Sequence, residues 1–172
     1  MQGGWHIEQR IQAICTLRSA AGDPPGDLPE DLFLFVSSIT PLVNVDLLIQ
    51  DSQGRTLLTW RDDRFYGAGW HIPGGIIRYK ETLEDRLRET ARRELASEIE
   101  FDPSPLAIEQ NIHPLHRERG HFIALLYRCR LLTPPPEALR FSPALPRAGH
   151  WAWHKGCPDD LIPFQNAYRR FL

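Results

Sequence analysis

The sequence predicts an α/β domain, a mixed β-sheet sandwiched between helices, with a helical extension at its N-terminus. Three observations carry that reading. Val43, Val45, Leu47 and Ile49 alternate as in a strand and run into the turn signal Asp51-Ser52-Gln53-Gly54. Between Glu81 and Ile99 the period changes, with Leu83, Leu87, Ala91 and Leu95 recurring every four residues. Strand-like segments then return at 105–115 and 121–132. The order of helices, hairpin, loop, helix, strands and helix suits a mixed sheet with helices on its faces.

At 172 residues the chain is long enough for one compact domain. An apolar fraction of 42% against 24% charged excludes disorder throughout. The net charge of -2 leaves no basic excess to grip a polyphosphate backbone, so no nucleic-acid partner is expected. Cys15, Cys129 and Cys157 are too scattered for a disulfide framework or a zinc site, which fits a reducing interior. No apolar run approaches the ~20 residues of a membrane span, and the first residues lack the apolar stretch of a signal peptide. A soluble cytoplasmic protein with no membrane partner is expected.

The elements follow in order. Ile7, Ile11, Ile14 and Leu17 place an amphipathic helix over 5–20, and Asp23-Pro24-Pro25-Gly26 breaks it. A second helix spans 29–38, with Pro29 suited to its first turn. Residues 1–38 read as an extension that could pack on the domain, form a homodimer contact or cap a site. The main domain spans 39–172. Its first strand covers 42–49, the return strand 55–60, and a polar, aromatic loop 61–69. A short extended piece, 70–73, ends in Gly74-Gly75. The helix of 81–99 is the strongest in the chain. Two strands follow, separated by the turn 116–120, then a strand at 151–153. A closing helix over 158–172 turns Leu161, Phe164, Tyr168 and Phe171 inward.

The chemistry concentrates at the diglycine and the helix behind it. Two glycines let the backbone approach a bound ion or phosphate closely. Thr82 can cap the helix, and Glu84 suits its N-terminal dipole. Glu94 lies almost four turns on, beside the Leu87–Ala91 stripe. A carboxylate there requires a partner or a hard cation, because burying it alone is costly.

Gly75, five residues and then Glu81 fit the first half of the Nudix box, Gly-x5-Glu-x7-Arg-Glu-apolar-x-Glu-Glu-x-Gly, and this stretch resembles it. More specifically, residues 37–96 are similar to the GDP-mannose mannosyl hydrolase branch of that superfamily. The residues that carry the likeness are Thr40-Pro41-Leu42-Val43, Asp46-Leu47-Leu48-Ile49, Gly54, Trp60-Arg61, Trp70-His71-Ile72-Pro73-Gly74-Gly75, Glu81-Thr82-Leu83 and Glu94-Leu95.

The departures are specific. Glu89-Thr90 stand where the usual box has Arg-Glu, Arg93-Glu94 where it has Glu-Glu, and Ala96 where it has Gly. Ile76 and Glu89 replace arginines of the mannosyl hydrolases, for which Arg78, Arg117 and Arg119 are candidate substitutes. In a rival register, Arg93 to Phe101 also fits the end of the box and pairs Glu94 with Glu98. That shift lengthens the helix by ~6 Å and turns it by ~40°, drawing the carboxylates away from the Gly74 loop. The unshifted register is favoured.

The resemblance implies a Nudix fold and one Mg2+ held by the Gly74 carbonyl and the Glu94 carboxylate, with Glu81 bracing the loop. It implies contacts from Asp46 and Arg61 to the sugar and phosphate of a nucleotide-sugar substrate. It implies water attack at the anomeric carbon, with His121 as the base and nucleoside diphosphate as the leaving group. His113 and His116 remain open as sugar contacts. Two other classes stand beside this one: attack at phosphorus using Glu94 and Glu98, and a nucleotide-sugar binder without turnover. A partner-binding module built on residues 1–38 is a further alternative.

Overall fold

The computed structural model describes residues 6–22 and 28–172. The break signal at 23–26 lies outside the described residues. Two helices come first, α1 (Ile7–Ala21) and α2 (Glu30–Ser37), followed by four strands: β1 (Leu42–Ile49), β2 (Thr56–Asp63), β3 (Gly67–His71) and β4 (Gly74–Ile76). Then come α3 (Leu83–Leu95), β5 (Ile99–Phe101), β6 (Ala107–Ile112), β7 (His121–Leu131) and β8 (Trp151–His154). A 3-10 helix, Pro163–Phe171, closes the chain. No described helix is long and apolar enough to cross a membrane.

The strands form two sheets. In the larger, β1 lies between β4, antiparallel, and β7, parallel. The far side of β7 takes β6 and then β5, both antiparallel. The smaller sheet has the order β3-β2-β8. One apolar cluster joins Val45, Leu47 and Ile49 of β1 to Leu87, Ala91 and Leu95 of α3. A second joins Leu48 to Leu58, Trp70, Ile72 and Tyr168 between the sheets. β1 is therefore covered on both faces, which explains why all of 45–49 is buried where simple alternation predicts every second residue.

Four expectations change. The 42–60 hairpin opens after one bridge, Gln50 to Thr56, because β1 finds better-covered neighbours in β4 and β7 while β2 joins β3 and β8. Much of the expected 61–69 loop is a hairpin instead. The Asp63 carboxylate accepts from the Phe65 and Tyr66 N–H groups, each at 2.9 Å, and Gly67 follows with φ 74°.

The third change is at the end of α3, which stops at Leu95 rather than Ile99. Ala96 turns left-handed (φ 48°, ψ 41°) and Ser97 N–H donates back to the Ala91 carbonyl at 3.3 Å. Ile99 is thereby freed to pair with Leu131. The fourth is the closing helix, which is 3-10 with a kink at Gln165 and leaves Leu161 bridged to Trp70.

The two N-terminal helices behave differently. α1 buries none of its residues. α2 is tied to the domain by a 2.6 Å ion pair from Glu30 to Arg64 and by buried Ser37, whose hydroxyl accepts from Arg119 N–H at 3.0 Å.

Candidate functional site

A cavity of about 420 Å³ opens where the two sheets, α3 and α2 meet. Asp46, Arg61, Gly74 and Glu94 all line it. Four of the five residues singled out from the sequence are thus brought together, from β1, β2, β4 and α3.

The diglycine forms the floor, and both positions require glycine through close approach. A Cβ on Gly74 would sit 2.2 Å from Asp46 Oδ1, and one on Gly75 would sit 2.2 Å from Thr90 Oγ1. The pairing of β4 sets where its carbonyls point. Leu47 N–H donates to the Pro73 carbonyl and Ile77 N–H to the Val43 carbonyl, each at 2.9 Å. Odd-numbered residues therefore carry the ladder, and the Gly74 carbonyl is directed away from β1 at the open edge of the sheet.

Glu81 and Glu94 flank α3 and differ in every respect. Glu81 accepts from Arg78 N–H at 2.8 Å and from the Arg86 guanidinium through both oxygens, at 2.8 and 2.7 Å. Arg86 is buried, so this bidentate pair locks the turn that carries the diglycine. Glu94 is half-buried, and no hydrogen bond or ion pair to another described residue holds it. Burial raises its carboxyl above the usual range, an effect opposed by the Arg61 guanidinium.

Asp46 is held between Asn44, whose amide donates to Oδ1 at 2.6 Å, and the Tyr168 hydroxyl, which donates to Oδ2. Burial pushes its carboxyl up to about 7 against those bonds and the Arg61 charge. Asn44 shares a strand face with Asp46 by the two-residue period, so this polar neighbour of a residue already singled out was a readable signal that sequence reasoning passed over. Tyr168, far away in the chain, had no such signal. His71 also lines the cavity, but its ring is satisfied. Nδ1–H donates to the Ile72 carbonyl at 2.9 Å, so Nε2 accepts from the Thr59 hydroxyl at 3.0 Å, and burial holds the imidazole down at about 3, neutral.

His121 is the exception, because it is not among the residues that line the cavity. Strand alternation aims Phe122 and Ala124 into the cavity, so His121 lies on the opposite sheet face. There its ring meets the Gln110 amide at 3.0 Å. The rival register is overturned. Helix α3 has ended before Glu98, which is exposed, and the left-handed turn falls on Ala96, where the unshifted box has its glycine. Of the three candidate replacement cations, Arg78 and Arg119 line the cavity, whereas Arg117 does not.

A divalent cation fits this donor set in a limited way. Among the described residues no three His, Cys, Asp or Glu side chains converge on one point. Among the lining residues, those that could offer a hard cation an oxygen include the Glu94 carboxylate, which has no partner among the described residues, the outward Gly74 carbonyl and the unpartnered Thr90 hydroxyl. Mg2+ commonly binds through one or two carboxylates, with water and substrate phosphate completing its shell.

Comparison with known proteins agrees with this architecture. A family model described as the NUDIX domain matches residues 40–154. The chain is 33% identical over 85 residues to the low-salt glycan biosynthesis protein Agl8 of Haloferax volcanii, a match that covers 49% of the chain and 54% of Agl8. The match thus spans about half the length of that curated relative. Among solved structures, a MutT NUDIX hydrolase from Burkholderia pseudomallei superposes with a TM-score of 0.61 at 21% identity, covering 77% of this chain and 98% of that one. The MutT protein of Methanosarcina mazei Go1 gives 0.57 at 19% identity, covering 77% and 94%. At these identities the likeness is one of fold.

Proposed function

The chain belongs to the NUDIX domain family, and on that premise we propose that it is a Mg2+-dependent hydrolase of a nucleoside diphosphate sugar. The substrate is GDP-mannose or a related GDP-hexose. The products are nucleoside diphosphate and free sugar, through water attack at the anomeric carbon.

One observation carries the reading: a single partner-free carboxylate, Glu94, shares a cavity with the outward carbonyl of Gly74, while Thr90 and Arg93 occupy positions where the usual box has acids. Glu94 and Gly74 would hold the cation. Bound there, Mg2+ would neutralise charge on a departing diphosphate. Arg61 adds a second positive charge on the same wall. Glu81 and Arg86 keep the diglycine in place. The half-length likeness to a glycan biosynthesis protein supports a sugar-nucleotide substrate.

The placement of His121 favours a second reading, attack at phosphorus, because it removes from the cavity the base that attack on carbon would use. Turnover in heavy-oxygen water separates the two. Label in the free sugar, with unlabelled GDP, supports the proposal; label in GMP or the sugar phosphate overturns it in favour of the second. Binding without turnover of any nucleotide sugar overturns both.

A further inference from the structure

Arg119, one of the candidate cations that line the cavity, lies in the turn before β7, and its placement is unusual. Its φ is 51°, a left-handed conformation that a non-glycine residue keeps only when its surroundings hold it. They hold it at both ends. Its N–H donates to the Ser37 hydroxyl of α2 at 3.0 Å, and its carbonyl accepts from the Tyr66 hydroxyl at 2.6 Å. Gly120 makes the turn possible, since a Cβ there would lie 2.3 Å from the His116 carbonyl.

The side chain is placed with equal care. Its guanidinium carbon lies 5.6 Å from the centre of the Phe33 ring, 4.9 Å from Phe65 and 5.9 Å from Tyr66. Nε is buried and has no hydrogen-bond partner. Among the described residues no carboxylate forms an ion pair with it, yet it lines the same cavity as Gly74 and Glu94. A buried N–H of a guanidinium left without an acceptor is costly unless an anion completes it. Aromatic faces keep such a cation oriented without neutralising it.

We propose that Arg119 binds a phosphate group of the substrate, and that α2, which precedes the residues matched by the family model, supplies the wall that aims it. The inference rests on the proposed phosphate-bearing substrate and adds the residue that grips it. The planar fork of a guanidinium fits two phosphate oxygens at once, which a lysine ammonium does not. Phe33, stacked on Arg119, makes α2 part of the binding site.

The test is titration calorimetry of the full chain with inorganic pyrophosphate and with GDP, both in magnesium buffer. Wild type, Arg119→Lys, Arg119→Ala and Ser37→Ala are compared, with a thermal melt of each to confirm folding. The expected result is at least tenfold weaker pyrophosphate binding in both Arg119 variants, and a few-fold loss in Ser37→Ala, which keeps the guanidinium but frees its backbone. Pyrophosphate should also move the Arg119 Nε–H signal in a nitrogen-resolved NMR spectrum, which a purely structural arginine would not show. Unchanged pyrophosphate affinity in folded Arg119→Lys and Arg119→Ala overturns the inference alone. So does a loss confined to GDP, because Arg119 would then read the base. Wild type that binds neither probe nor any nucleotide sugar overturns the substrate reading together with it.

Discussion

Glu81, just before α3, and Glu94, in its last turn, are in opposite states. Glu81 is saturated: three N–H donors reach its two oxygens, and two of those belong to a buried arginine. Glu94 has no such partner, and its burial works against its charge. The first carboxylate holds the backbone still, and the second has no hydrogen-bond or ion-pair partner among the described residues. Identical side chains thus differ according to whether a guanidinium is in hydrogen-bonding reach.

Breaking the scaffold side should cost the most stability. Glu81→Gln leaves Arg86 buried without its carboxylate, so unfolding free energy should fall by about 3–5 kcal/mol, as when one partner of a buried pair is removed. For a domain of this size that lowers Tm by roughly 6–20 °C in a calorimetric melt. A Tm within about 2 °C of wild type would place Glu81 with Glu94 instead.

Glu94→Gln should do the reverse. Nucleotide-sugar turnover should drop about 100-fold or more, equivalent to about 2.7 kcal/mol of transition-state stabilisation, while Tm holds or rises. Magnesium titration followed by calorimetry should show weakened binding in the same variant.

The floor between the two carboxylates gives a third, smaller effect. Gly75→Ala drives a methyl group into Thr90 Oγ1 and should cost about 1–3 kcal/mol, a typical overpacking penalty. Adding Thr90→Ala removes the obstructing hydroxyl and should recover most of that loss in urea melts.

The smallest effect sharpens the contrast through pH. Asp46 and Glu94 both have carboxyls raised by burial. Between its ordinary value and its folded value such a group is protonated in the fold and ionised in the unfolded chain, so stability falls as pH rises through that window. For Asp46 the window runs from the ordinary 3.8 to about 7. Metal-free protein should therefore have a higher Tm near pH 5 than near pH 7.5 in a calorimetric melt. Asp46→Asn should flatten most of that slope, and Glu94→Gln a smaller part.

Much of this was legible before any coordinates. The diglycine, the capped helix behind it and the four-residue stripe of Leu83, Leu87, Ala91 and Leu95 are local patterns, so spacing alone reports them. Glu94 was readable because a carboxylate beside an apolar stripe demands a reason. That His121 lies off the cavity lining was not legible, because a local likeness identifies the strand but not which face its first residue takes, and a single step along a strand reverses that face. The parting of β1 from β2 was hidden for a related reason: the turn at 51–54 is a strong local signal, and the competing partners lie far along the chain.

By itself, the sequence determined most of the strand and helix segments, the diglycine ahead of the long helix, and which carboxylates were eligible for chemistry. Tertiary structure alone decided that Arg86 is the partner that occupies Glu81, that Tyr168 closes over Asp46, and that α2 and Arg119 help to wall the cavity lined by the diglycine. Spacing carries information about neighbours within a few residues, since backbone geometry fixes their relative directions. Which distant side chain arrives with a donor or a ring is set by how sheets and helices pack, and no local pattern encodes it.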